Sequence, residues 1–372
     1  MKVMKLVKVL SLCLLLIPTA GCWDQNFLKQ QSLTFSVGYD AAGKKLRSLS
    51  IVRTLKPTGN GQTEPFNNIY EVTGTTPLDV RAAMNEITPG TYSMNKLRVV
   101  LIGEDLAKRD VYPLFDLYFR EAKSNINTKV VITKGKAVDF LKNGYIQGNL
   151  ITDAINELLV SGEKESLVPK FTIGTLLPIM FNPGQDPVFP YLDQVNKGNL
   201  KIKGLSLFNN RKSTGKVLLG QKASLLLLMM NKGGKIAQFS IDDKKAKNYL
   251  NQNITVVSNK SKSKIRLKWE GGQPVYTIDL KLNVFISEYT RGILNERDVD
   301  KLSKFISNKM TDMAKEVTQT LKESNCDALG LGNIMMVKNP DKFKGYDWDK
   351  DFKDIKIVPK VKVKIISNGI VY

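Results

Sequence analysis

Between Val299 and Leu321, apolar residues recur at steps of three and four: Val299, Leu302, Ile306, Met310, Met313, Val317 and Leu321. A stripe of that length predicts one long helix, with Asn295 as its cap, and the helix is stable only if a second surface covers the stripe. The neighbouring sequence offers one. Ile265, Leu267 and Trp269 alternate with Arg266 and Lys268, and Val361, Val363 and Ile365 alternate with Lys362 and Lys364. Such alternation puts apolar side chains on one face of a strand and charges on the other. The C-terminal half is therefore expected to be an antiparallel sheet packed on one long helix. Its strand-like runs are 200–208, 217–220, 223–230, 254–257, 265–269, 275–286 and 355–366. Within them, Leu225–Met230 reads as a buried strand, Ser213-Thr214-Gly215-Lys216 as a hairpin turn, and Asn259–Lys264 as a basic hairpin tip.

The N-terminal half reads differently. Residues 32–55 predict a hairpin around Asp40-Ala41-Ala42-Gly43, and 54–66, rich in Pro, Gly, Asn and Thr, predict a loop. Thr76-Pro77-Leu78-Asp79 opens a helix, with Thr as cap, Pro in the first position and an acid in the first turn. Leu97–Ile102 is mostly apolar, as in a strand covered on both faces. A helix follows near 110–122, with Pro113 in its first turn, and then a strand at 129–133. Helices near 151–161 and 172–180 lead to a loop at Asn182-Pro183-Gly184 and 187–190. Strand, helix, strand in that order is an α/β-type arrangement. The fold class is therefore mixed α+β in several domains. Residues 1–21 form a leader, 22–197 an N-terminal mixed α/β domain, and 198–372 a C-terminal region divisible at 285/286.

The leader carries Lys2, Lys5 and Lys8, then the apolar run 9–17, then Pro18 and Thr19-Ala20-Gly21 before Cys22. This is the layout of a secretory signal. Its apolar run is shorter than the roughly 20 residues that a spanning helix needs. The small-small-Cys ending resembles the bacterial lipobox, although Thr19 stands where Leu is usual. Lipidation of Cys22 is expected, and at about 0.8 kcal/mol per buried methylene the acyl chains would hold the chain at a membrane.

The chain has no histidine, which excludes Ser-His-Asp and Cys-His catalysis and His metal ligands. With Cys22 lipidated, Cys326 has no disulfide partner and reads as a packing residue. The net charge of +21 favours an anionic partner. Lysines dominate and are spread along the chain, which suits a bilayer surface better than nucleic acid. Asp242-Asp243, Glu163 and Glu165 read as solvated acids rather than metal ligands. Gly330-Leu331-Gly332 lacks the third glycine of a dinucleotide fingerprint, and is expected to end the long helix. Asp327 is expected to bond the backbone of that turn, and Trp348 and Phe352 to anchor the last strand.

The order of these blocks resembles the C-subunit lipoproteins of bacterial spore germinant receptors, the Ger(x)C family. Gly21-Cys22-Trp23-Asp24 resembles the lipidated start, and Phe35–Asp40 the first strand. Val72-Thr73-Gly74 and residues 97–108 resemble a central block, which lacks the His that relatives often carry near its start. Phe119-Arg120-Glu121 resembles an acid-and-arginine element, 201–208 (with Gly204) the opening of the C-terminal region, and Glu288 a strand-terminal acid. Residues 326–332, with Asp327, Gly330 and Gly332, then Trp348, Phe352 and Gly369, resemble the final block. The resemblance implies a non-enzymatic, lipid-anchored subunit at the outer face of the spore inner membrane. It would assemble with two integral membrane subunits, A- and B-type, in nutrient sensing, without cofactor, metal or catalytic residues. Two competing expectations are a solute-binding lipoprotein of a transporter, with two lobes and a ligand cleft, and an enzyme acting on the cell wall.

Overall fold

A computed structural model describes residues 31–59, 62–121, 124–195, 198–243, 253–290 and 296–367. Cys22, Asp24, Asn295 and Gly369 lie outside these residues.

The chain begins with strands β1 (Gln31–Ala42), β2 (Lys45–Gly59) and β3 (Gln62–Gly74), then helix α1 (Pro77–Ile87) and strands β4 (Thr91–Ser93) and β5 (Val99–Gly103). Next come α2 (Glu104–Ala107), α3 (Tyr112–Arg120), β6 (Lys129–Thr133), α4 (Ala137–Leu141), β7 (Tyr145–Ile146), β8 (Asn149–Leu150), α5 (Ile151–Lys164) and α6 (Ile173–Met180). They are followed by β9 (Val188–Val195), β10 (Asn199–Asn209), β11 (Lys212–Leu219), α7 (Gly220–Met229), β12 (Ala237–Asp242), β13 (Asn253–Glu270) and β14 (Gln273–Glu288). The last elements are α8 (Glu296–Glu323), α9 (Leu331–Lys338), α10 (Pro340–Phe343), α11 (Trp348–Asp351) and β15 (Lys356–Ser367).

The first sheet runs β11-β10-β9-β6-β5-β1-β2-β3, with β4 beside β1. Its centre is parallel, and antiparallel hairpins close both ends. In β5, Val99 and Leu101 enter one core with α4 and α5, while Val100 and Ile102 enter the other. The uninterrupted apolar run therefore serves two faces at once. β10 and β11, which follow residue 197, belong to this sheet. The second sheet runs β12-β13-β14-β15. Its first two pairings are antiparallel, but β15 is parallel to β14, which corrects the expectation of a wholly antiparallel sheet. The chain leaves β14, crosses over through α8 and returns in the same direction, as a helical crossover allows.

α8 buries Leu302, Ile306, Met310, Val317 and Leu321, and it also closes a sheet edge. Ser303 Oγ donates to the Val363 carbonyl at 2.7 Å. The Val363 N–H donates to Ser307 Oγ at 2.9 Å, and the Val361 N–H donates to Thr311 Oγ1 at 3.0 Å. These backbone groups of β15 would otherwise lack partners, because β15 ends the sheet.

Several local expectations are corrected. Residues 223–229 lie in helix α7, and Met230 caps it, so the run is not a strand. Its leucines are unbranched at Cβ and favour helix, and a short apolar run does not fix the period by itself. α7 is apolar all round because β10 and β11 press on it from the first sheet, and β12–β14 and α8 from the second. The loop expected over 54–66 is instead the far end of the β2–β3 hairpin. Pro65 is tolerated because β3 is an end strand, and Pro57 lies past Val52, where pairing with β1 stops. Pro190 likewise sits in β9 beyond the two residues that β6 pairs. The turn between β10 and β11 is Asn210-Arg211, and Ser213–Lys216 form an irregular stretch of β11. Residues 259–264 lie in the middle of β13, whose turn is Gly271-Gly272. The capping of α1 by Thr76, with Asp79 answering, is as expected.

Candidate functional site

The last turn of α8 ends on Asn325, which takes the left-handed conformation (φ 48°), and the Cys326 N–H returns to the Leu321 carbonyl at 2.9 Å. This is a Schellman-type ending with asparagine in place of glycine, so Gly330 does not terminate α8 as expected. Gly330 (φ 69°) instead turns the chain into α9. There the free N–H groups of the first turn meet Asp327: Leu331 donates to Oδ1 at 2.9 Å and Gly332 to Oδ2 at 2.8 Å. The indole Nε1 of Trp348 donates to Oδ2 at 3.0 Å.

Asp186, in the segment leading into β9, closes the other side. Its Oδ2 accepts the Asp327 N–H at 2.7 Å, its Oδ1 accepts the Asn210 N–H at 2.5 Å, and its own N–H donates to the Asp327 carbonyl at 2.9 Å. Asn209 Nδ2 donates to the Asn325 carbonyl at 2.6 Å, and Tyr276 Oη to the Leu331 carbonyl at 2.9 Å. The Asn333 N–H donates to the Gly184 carbonyl at 2.9 Å. Two chain crossings depend on missing side chains. A Cβ on Gly332 would lie 2.6 Å from Trp348 ring atoms and from Gly184 Cα, and one on Gly184 would lie 2.3 Å from the Asn333 nitrogen. Phe352 is buried beside Trp348, with ring centroids 6.0 Å apart. Segments far apart in sequence are thus tied where the two sheets meet.

Burial pushes Asp327 up to about 7, against the pull of the Gly332 and Leu331 N–H groups, and the charge of Asp186 adds to the rise. Burial pushes Asp186 up to about 6, against the N–H groups of Asn210 and Asp327. Burial also drives the Cys326 thiol well up, so it holds little of the reactive thiolate. Both carboxylates are engaged by backbone donors. The arrangement is built to fasten, and it presents no nucleophile beside a base.

Of the residues singled out in the sequence, Asp327, Gly330, Gly332, Trp348 and Phe352 meet in this clasp. The others are dispersed. Gly74 lets β3 pass α1, where a Cβ would sit 2.8 Å from the Val80 nitrogen. Gly204 lies at an irregularity of β10, where a Cβ would sit 1.8 Å from the Leu218 carbonyl oxygen. Arg120 pairs with Asp116 at 2.6 Å on the surface of α3, while its neighbour Glu121 holds Arg81 through two bonds of 2.6 and 2.8 Å. Glu288 accepts from Thr255 Oγ1 at 3.0 Å at the end of β14. Sequence reasoning missed Asp186 and Asn210. The available signal was an acid directly before a buried strand, in a segment read only as loop.

Beside the clasp lies an open recess of about 560 Å³, lined by Asp110, Phe181, Asn210, Arg211 and Asp349 among others. Among the described residues, no group of three or more acids or cysteines is placed to hold a metal ion, and no helix is long and apolar enough to cross a membrane.

Comparison with known proteins adds the following. Residues 24–194 match the family model described as spore germination protein N-terminal domain, and residues 203–369 match spore germination B3/GerAC like, C-terminal. Spore germination protein B3 of Bacillus subtilis (strain 168) is 24% identical over 383 residues, covering 96% of each chain. Putative spore germination protein YfkR of the same organism is 21% identical over 387 residues, covering 99% of this chain and 97% of that one. Among solved structures, the crystal structure of the GerBC protein matches with a TM-score of 0.59 at 20% identity, over 90% of this chain and 99% of that one.

Proposed function

Because the chain belongs to the Ger(x)C family of spore germination proteins, the C-subunit family of germinant receptors, we propose that it is the lipid-anchored, non-enzymatic subunit of a nutrient-sensing germination receptor. In this reading Cys22 carries the acyl chains, residues 1–21 are removed, and the body sits at the outer face of the spore inner membrane. It acts there by assembly with two integral membrane subunits. The observation that carries the reading is the ordered match of both family models along the one chain, 24–194 and then 203–369. The clasp supports it, since its polar groups fasten one part of the chain to another. An anchor also raises local concentration at the membrane, so that modest contacts suffice for assembly.

The test is co-purification from detergent-solubilised spore membranes, with a tag at the C-terminus. Recovery of two polytopic receptor subunits is expected. Recovery of a permease and an ATPase instead would transfer the chain to the solute-binding class. The Cys22→Ala variant is expected to fold normally and to be lost from the inner membrane, as read by fractionation. Normal retention of that variant would rule out the anchor.

A further inference from the structure

The second sheet has one face covered by its core and one face bare. On the bare side, Lys262 of β13 stands opposite Lys281 of β14, and Lys281 stands opposite Lys362 of β15. All three are exposed. The next row on one side pairs Lys260 with Asn283 and Lys364, and the next on the other side pairs Lys264 with Asp279 and Lys360. Asp279 is the acid within this grid, and it is engaged by Arg266. Among the described residues no acid pairs with Lys262, Lys281 or Lys362.

Strands lie about 4.8 Å apart and rows two residues apart along a strand are about 7 Å apart, so these lysines share a patch of roughly 10 by 14 Å. That is close to one screening length at physiological salt, so each cation feels the others. Like charges placed directly opposite weaken a sheet. Three lysines in one row, with two more in each flanking row and Asp279 among them, is a net cost to the sheet.

We propose that this face is a docking surface for an anionic lipid bilayer, which seats the C-terminal sheet flat on phospholipid headgroups. The proposal deepens the reading of the chain as a membrane-tethered subunit and rests on it. Charge complementarity argues for the occupant. Lys262, Lys281 and Lys362 fall in one cross-strand row, so they reach a single surface together. It uses lysine, whose compact ammonium interacts diffusely, where recognition of one specific partner would favour the planar fork of arginine. Clusters of basic residues held at a surface attract anionic lipid additively.

The test is lysine footprinting of the full chain on vesicles. The chain is bound to phosphatidylglycerol–phosphatidylcholine vesicles or to phosphatidylcholine vesicles, acetylated briefly, and read by mass spectrometry. Lys262, Lys281 and Lys362 are expected to react several-fold more slowly on the anionic vesicles, and 0.5 M NaCl is expected to restore them. Lys136 and Lys142, on the N-terminal region, are expected to stay unchanged. Equal reactivity on both vesicle types overturns the proposal. Protection seen only in native spore membranes also overturns it, and assigns the face to an acidic protein. Anchoring is read separately, as co-sedimentation with the neutral vesicles. A chain that fails to co-sediment there yet shows the footprint on anionic lipid refutes the anchor and leaves the face standing.

Discussion

The two sheets solve the same problem in different ways. The first is clad on both faces, so its central strands are apolar at every position from Val99 to Ile102. The second is clad on one face, so Ile278, Leu280 and Leu282 are buried while Lys262, Lys281 and Lys362 face outward. The difference teaches where a chain of this kind is free to vary its chemistry. A doubly covered sheet meets the outside only through its edges and loops. A singly covered sheet can carry a whole field of charge without disturbing the core beneath it.

The largest effect is expected at the joint between the two sheets. Asp327→Ala leaves three buried donors without an acceptor and should cost about 4 kcal/mol, since each buried unsatisfied group costs roughly 1–3 kcal/mol. Urea unfolding measures this, and separate transitions for the two regions would show that the clasp couples them. Next, Leu101→Ala in the doubly clad sheet should cost about 3 kcal/mol, whereas Lys362→Ala on the bare face should change stability by less than about 0.5 kcal/mol. Similar costs at both positions would erase the distinction between the sheets.

The joint should also respond to pH. Asp327 and Asp186 titrate at about 7 and about 6 in the folded chain, above the ordinary 3.8 of an unfolded aspartate. Between those values the folded state holds protons that the unfolded state has released. The contribution is therefore greatest near pH 4 and is lost as pH rises through 6 to 7. The unfolding free energy from urea titration should be higher at pH 5 than at pH 8, by an amount on the order of 2 kcal/mol, and Asp327→Asn should shrink the difference. A small effect of the opposite sign is expected at Lys281: Lys281→Gln relieves the repulsion from two like-charge neighbours and should stabilise by about 0.5 kcal/mol at low salt, fading at 1 M. A loss of stability there would mean that the grid is held by contacts rather than tolerated.

Periodicity made the elements with one strong pattern legible. The stripe of α8, the alternation in β15, the doubly buried β5 and the Thr76 cap were all readable, because each signal is local. What failed to show depended on distant neighbours. The leucines of α7 look like a buried strand until two sheets are placed around them. The prolines of β2, β3 and β9 look like loop markers until the lateral ends of the ladders are known. Asp327, Gly330 and Gly332 could be picked out by resemblance, but their partner Asp186 could not, because it lies 141 residues away in sequence.

The hydroxyls of α8 along β15 have a consequence for crowding. Where copies of a protein crowd together, a bare strand edge among them is a template for uncontrolled growth of sheet from copy to copy. Ser303, Ser307 and Thr311 occupy the positions along that edge where a neighbouring strand would attach. Removing those hydroxyls would leave backbone groups of β15 unpaired in the lone molecule and offer them to the next one, so the same three side chains serve both the fold of one copy and the separateness of many.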